Sequence, residues 1–314
     1  MKQFGKLGGL IPWIALVVLI LIVGSFDTTF LKPATLIGLF ADSATLFLMA
    51  IGMTAVIYIG SIDLSLQSIA AISSIVLALL IPDFGMLAIP AALLAGVLFG
   101  GLSGIVHAVL RLPSFIATLA VGGVVTTAAL YLSDQRSIQI DAQPRLDTLS
   151  WAIGTMFGVP NEVWVSLVVL AVALVIEQAT PFGKAMKAVG CGEAAARVAG
   201  IDVRKIKIAV FMISGLFAAL SGVVLAGRLS SGSPIIANEF LLPAIAAVVL
   251  GGTSLTGGTG GVLRTLVGTL LIAVVRTGMT FVGVNVLAQQ IVFGVILVAA
   301  VALSTGRAPK GVMK

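Results

Sequence analysis

"YIGSIDLSLQSIAAIS", residues 58–73, sets an aspartate inside a stretch that is otherwise small and apolar, with no histidine, cysteine or second carboxylate near it. An ionisable side chain at the centre of a membrane helix costs on the order of 2.5–3.5 kcal/mol by insertion scales, so it faces a cavity or a partner. Apolar sequence runs from 36 to 81 around Asp63. As a single helix these about 46 residues would reach roughly 70 Å, against a hydrocarbon core of about 30 Å. The chain must break, and Gly60 with Ser61 is the place. Asp63 and Ser65 then stand where a new helix begins, where both residue types cap free amides and a negative charge suits the helix dipole. Two other roles stay open for Asp63: accepting hydroxyls of a passing solute, and relaying a proton.

The rest of the chain reads the same way. Its 314 residues are 59% apolar and 10% charged, with a mean hydropathy of +1.21, whereas soluble domains carry about 25% charged residues. Residues 1–314 form one integral membrane domain. The first run, "LGGLIPWIALVVLILIVGSF" at 7–26, follows Lys2 and Lys6. It is long for a signal peptide and lacks a small-residue cleavage site, so it is kept as a span. Cys191 and His107 are each the only residue of their type, which excludes an internal disulfide and a thiolate–imidazole metal site. The net charge of +6 marks the loops on the inner side of a membrane protein and implies no nucleic acid.

Hydropathy and helix breakers predict about ten transmembrane helices, at 10–26, 36–58, 64–81, 86–109, 115–132, 163–178, 207–227, 240–253, 261–282 and 286–304. An even number puts both termini on one side. If that side is the cytoplasm, thirteen of the eighteen basic residues lie inside, and Lys32, Arg136, Arg145, Arg228 and Arg276 are the others, as the positive-inside rule requires. Two polar connections follow: an external one at 133–162, and an internal one at 180–207 with six basic and two acidic residues. A second break is written at 251–261, "GGTSLTGGTGG", beginning with Gly251, Gly252 and Thr253. Such backbone is tolerated at membrane depth only when buried in protein or facing water. "GSIDLS" and "GGTSLT" align by eye at a separation of 191, although six positions are too few for a repeat. Small residues recur every fourth position in Ala92, Gly96, Gly100, Gly104 and Ala108, and in Ser214, Ala218, Gly222 and Ala226, a spacing that lets helix backbones approach closely.

One catalytic pattern is set aside. Gly101, Ser103 and Gly104 match the G-x-S-G of rhomboid-like intramembrane proteases, with His107 four residues on. Those enzymes take serine and histidine from different helices, and here both share one. The H-E-x-x-H and nucleotide-binding loop patterns are absent, so any energised work draws on another subunit.

In the inner connection, "EAAARVA" from Glu193 to Ala199 reads as a short helix. It has a Glu193–Arg197 pair in the favourable order, Gly192 before it and Gly200 as its stop. So short a helix is marginal in water, so it must dock, either on a partner protein or on the chain's own inner surface. Here "TPFGKAMKAVGCGEAAARVAGIDVRKIKIAVFMISGLFAALSGVVLAGRLSSGSP" (180–234) resembles the core of permease subunits in ABC importers of the ribose type, which bring monosaccharides, small polyols or signalling sugars into bacteria. "GSIDLSLQS" (60–68), "LPSFIATLA" (112–120) and "PAIAAVVLGGTSLTGGTGGVLRTLVG" (243–268) match further signatures of that family in the same order.

The resemblance implies an all-α membrane protein of the cobalamin-importer-like (type II) ABC permease architecture with broken helices, in the bacterial inner membrane. The partners it implies are a second permease copy or related chain, cytoplasmic ABC ATPase subunits and a periplasmic sugar-binding protein. ATP and Mg would be bound by the ATPase, with no cofactor in this chain. Residues 180–207 would be the ATPase-coupling loop, with Gly183, Lys184, Gly190, Glu193, Ala196, Arg197 and Gly200 as its key positions. Gly60, Asp63, Ser65, Gln67, Gly251, Gly252 and Thr253 would belong to the pathway or to the broken helices. The sequence departs from the family pattern at Gln67, where glycine is usual, at Gly192, where asparagine is usual, and at Thr126-Thr127, where Arg-Gly is common; Gln67 bears on solute choice. The alternative reading is an ion-coupled secondary transporter, for which broken helices and a lone carboxylate are also suited.

Overall fold

The computed structural model describes residues 2–305, with side chains from residue 12 onward apart from 286, 287 and 303–305. Of the basic residues assigned to the inner side, Arg307, Lys310 and Lys314 lie outside the described residues, as do the side chains of Lys2 and Lys6. In chain order the helices are α1 (Lys2–Phe26), α2 (Pro33–Tyr58), α3 (Leu66–Phe84), α4 (Ala88–Val109), α5 (Ser114–Leu132), α6 (Ala142–Ile153), α7 (Asn161–Ala179), α8 (Pro181–Cys191), α9 (Glu193–Val198), α10 (Val203–Leu229), α11 (Leu241–Leu250), α12 (Val262–Phe281) and α13 (Val286–Thr305). Two 3-10 turns (Thr28–Leu31 and Gly85–Leu87) and two antiparallel ladders, each of two residues per strand, complete the secondary structure among the described residues. Among the described residues, six stretches are long and apolar enough to cross a membrane: α2, the α3–α4 run, α5, α7, α10 and α12. The apolar parts of α1, α11 and α13 are shorter. The 133–162 connection is more structured than a polar loop, since it holds α6 and the Thr155–Met156/Val159–Pro160 hairpin.

The centre of the bundle is α10, which packs on α4, α3 and α2. Small residues cause this, because removing water drives little helix association in lipid and close packing must substitute. A Cβ on Gly100 would overlap the Phe211 carbonyl, and one on Gly215 would overlap that of Gly96. Gly222 meets Ala70 of α3 in the same way. Hydroxyls join the helices as well: Thr54 lies 2.6 Å from Thr265, Ser68 lies 2.8 Å from Thr126, and Ser221 donates to the Thr45 carbonyl at 3.0 Å. The lipid-facing surface is the reverse of a soluble one, with Leu98, Leu119 and Val168 exposed.

At about 40 Å, α10 joins two different ends. Its start carries α9. At its finish Arg228 pairs with Asp42 of α2 and lies 3.7 Å from Glu162 of α7. On that end too Arg276 sits 3.5 Å from Glu239 and over the Phe240 ring.

Gly100→Ala should place a methyl against the Phe211 carbonyl and destabilise the fold by about 1–3 kcal/mol, the usual cost of overpacking. Gly123 of α5 has open space around its Cβ position, so Gly123→Ala is the control. Thermal unfolding in detergent should show a lowered midpoint for Gly100→Ala alone; equal midpoints would refute the close α4–α10 contact.

Candidate functional site

α2 stops at Tyr58, and residues 59–65 lead to α3, so the break falls where length demands it. Gly60, in the left-handed region at φ +74, turns the chain. Five of the amides in this break are satisfied within the protein. Gly60 and Ser61 donate to the Ile57 and Val56 carbonyls at 2.9 and 3.0 Å. Ile62 donates to Ser114 Oγ and Leu64 to Thr118 Oγ1, both at 3.0 Å. Ser65 donates to Asp63 Oδ1 at 2.9 Å.

Asp63 is fully buried. Its Oδ1 also accepts the Ser65 hydroxyl at 2.5 Å, and its Oδ2 accepts the Ser214 hydroxyl of α10 at 2.9 Å. Ser65 Oγ lies 3.3 Å from Ser103 Oγ of α4. The capping expectation is therefore corrected. Ser65 occupies the N-cap position of α3 without a capping bond, and Asp63 binds an amide that precedes the helix. The physical reason is tertiary: a hydroxyl from α10 completes the carboxylate's acceptor set, so Asp63 fastens the break to α10. With no exposed surface, it offers nothing to a solute in this conformation. Gln67 lies half-buried on the first turn of α3.

The second break, 251–261, follows α11. Gly251 and Gly252 donate back into α11, and the buried Thr253 accepts the Gly261 N–H at 3.3 Å, closing the neck of the loop. At the start of α12, Glu177 from α7 accepts the Val262 N–H at 3.0 Å. The two breaks touch: Gly258 N–H donates to the Tyr58 carbonyl at 2.9 Å. Gly190, near the end of α8, rests on the same place, since any side chain there would overlap both the Tyr58 carbonyl and the Gly258 amide. Cys191 Sγ lies 3.9 Å from the Gly258 carbonyl. Three segments distant in sequence thus meet backbone to backbone.

From this junction the chain passes through α8 and α9. Thr180 caps α8 by accepting the Gly183 N–H at 3.2 Å, and Gly183 is pressed against the Ile176 and Glu177 carbonyls. Met186 and Val189 are buried while Lys184 and Lys187 are exposed. In α9, Glu193 pairs with Arg197 at 3.1 Å and with Lys207 at 2.5 Å. Gly200 ends the helix at φ +82, and Ile201 N–H returns to the Ala196 carbonyl at 3.0 Å. The Lys205 amide and ammonium hold the Asp202 carboxyl below its ordinary range. Of the two ways in which so short a helix could be held, the structure shows the internal one. Ala196 is buried among Val56, Tyr58, Ile59 and Val210 of its own chain. The outer face stays open, with Val198 91% exposed.

His107 gives no dyad with Ser103: its Nε2 lies 3.4 Å from Ser61 Oγ and its Nδ1 2.7 Å from the Leu112 carbonyl. Sequence reasoning missed Ser114, Thr118, Ser214 and Glu177. The first two had a signal, since hydroxyls at i and i+4 in "LPSFIATLA" share a helix face. Glu177 had a weaker one, a lone carboxylate closing an apolar segment.

Residues 35–301 match the family described as "Branched-chain amino acid transport system / permease component". The chain belongs to that permease family. It is 36% identical over 295 residues to the ribose import permease protein RbsC of Haemophilus influenzae, covering 92% of this chain and 90% of that one. To the RbsC of Bacillus subtilis it is 34% identical over 300 residues, 95% and 92% of the two chains. To the L-arabinose ABC transporter permease protein AraH of Azospirillum brasilense it is 36% identical over 276 residues, 87% and 80%. No solved structure gives a significant match. Family and apolar helices together make this permease a multi-pass inner-membrane protein.

Asp63→Asn should keep most folded permease, because the amide oxygen still accepts from Ser65. Asp63→Leu should leave the Ser65 N–H and the Ser214 hydroxyl unsatisfied, about 1–3 kcal/mol for each buried group. Folded yield and thermal midpoint measure this. Equal midpoints for the two variants would refute Asp63 as the fastening of the break.

Proposed function

We propose that this permease is the translocation subunit of an ATP-driven importer moving a monosaccharide or similar small polyol across the bacterial inner membrane. The observation that carries the reading is near full-length likeness to ribose and arabinose permeases from three organisms. The family description names amino acids, but the sugar permeases match over most of both chains. These relatives lend the ion-coupled alternative no support.

In this reading the chain crosses the membrane ten times in the type II, cobalamin-importer-like arrangement. The α3–α4 run counts as two crossings, turning at Gly85 (φ +51), and α1, α11 and α13 add theirs. Both termini face the cytoplasm, the end bearing α8 and α9 is cytoplasmic, and α6 is periplasmic. Cytoplasmic ATPase subunits hold ATP and Mg and dock on the outer faces of α8 and α9, where Lys184 and Arg197 are exposed. A periplasmic binding protein delivers the solute, and a second permease completes the path. The junction of Gly190 with both breaks suits coupling, since a push on α8 reaches Tyr58 and Gly258 through rigid backbone contacts.

Co-purification with a tagged copy should bring down an ATPase subunit. With that subunit and the binding protein, reconstituted vesicles should accumulate ribose or arabinose only with ATP, and collapsing the ion gradient should change nothing; uptake that follows the gradient without ATP would overturn the reading. A cysteine at Ala195 should crosslink to the ATPase. A crosslink confined to this chain would make α9 an internal brace. In a Cys191→Ser background, a cysteine at Asp147 should react with an impermeant thiol reagent outside intact spheroplasts; labelling only after lysis would invert the topology.

A further inference from the structure

We propose that the cleft between the α4–α5 turn and the start of α10 receives an acidic segment of the ATPase subunit, with Arg111 as its fixed cation. The inference rests on the importer reading and adds a second docking element beside α9. The cleft, of about 800 Å³, is lined by His107, Arg111, Glu193, Arg197, Arg204 and Lys207, among others. That is room for several side chains rather than for one ion.

Its charges are unbalanced. Glu193 is taken by Arg197 and Lys207, and Asp202 by Lys205 and its amide. Among the described residues, neither Arg111 nor Arg204 forms an ion pair. Both are exposed at the cleft, where a carboxylate-bearing segment would complete the charge pattern. The cleft also runs into the open face of α9, so one partner can cover both.

Arg111 carries a second indication. It follows the C-cap residue Leu110 of α4 and adopts φ +58. Helix ends in this left-handed conformation favour glycine or asparagine, and a bulkier residue is strained there. Backbone geometry alone gives no reason for arginine, whereas a guanidinium held at the cleft does. The turn is pinned by His107 Nδ1 on the Leu112 carbonyl at 2.7 Å and by Pro113, so the cation is presented from a rigid support.

The test uses the full-length chain in phosphatidylcholine nanodiscs with the co-purifying ATPase, and records bound ATPase against KCl concentration. Arg111→Asn keeps the turn but removes the charge. It should weaken binding about tenfold at low salt and flatten its salt dependence, the mark of a lost interfacial charge pair. Arg111→Lys should stay within about threefold of wild type, and Arg111→Glu should bind more weakly than Arg111→Asn. The thermal midpoint of Arg111→Asn should equal or exceed that of wild type. Wild-type affinity and salt slope in Arg111→Asn overturn the inference while leaving the importer reading intact. Unchanged ATPase binding with less phosphatidylglycerol retained after purification overturns it in favour of a lipid site. A wild-type chain that binds no ATPase removes the importer reading itself.

Discussion

Chain that leaves a helix inside a packed bundle carries amides and carbonyls that need partners, because a buried polar group without one costs free energy. In this permease some partners of residues 59–65 and 251–261 lie on the adjoining α2 and α11 or within the breaks, and others come from α5, α7 and α10. α5 must present Ser114 and Thr118 to Ile62 and Leu64. α7 must end so that Glu177 reaches Val262. α10 must approach until Ser214 reaches Asp63, which the glycine contacts with α4 permit. The remaining demand is met by the breaks themselves, through Gly258 and Tyr58.

Hydrophobicity alone would not build this interior. Large apolar side chains such as Leu98 and Leu119 face outward, where lipid solvates them as well as protein would. Large residues such as Met49, Ile69 and Phe211 are buried too; what the interior adds is glycine, alanine, serine and threonine between α4, α10, α3 and α2, close enough for van der Waals packing and short hydroxyl bonds to replace the missing hydrophobic drive.

The features legible in the sequence are those set by length and local chemistry. The break at Gly60 and Ser61 follows from a run too long for one span, and α9 follows from its glycine ends and its Glu193–Arg197 pair. The four-residue stripes announce close helix contacts without naming the partners. What stayed hidden depends on distant segments. Ser214, which binds Asp63, stands 151 residues away, so local reasoning could reach the Ser65 amide that donates to Asp63 but not the partner on α10. Ala196 finds its neighbours on α2 and α10, which makes a self-docked helix invisible from its own seven residues. Gly190 is marked by the family resemblance alone, and its physical reason appears only when Tyr58 and Gly258 are placed against it.

The junction of Tyr58, Gly190 and Gly258 is written almost wholly in main-chain atoms, and this divides the neighbouring positions into two kinds. The Tyr58 carbonyl would be supplied by whatever residue stood there, whereas Gly258 is held to glycine by its left-handed backbone at φ +74 and by Cys191 pressed against it. Gly190 is fixed as well, since even one methyl group would occupy the space of the carbonyl it rests on. A scaffold joined in this way can diversify the surfaces that meet its cargo while the contact that holds its three segments together stays the same.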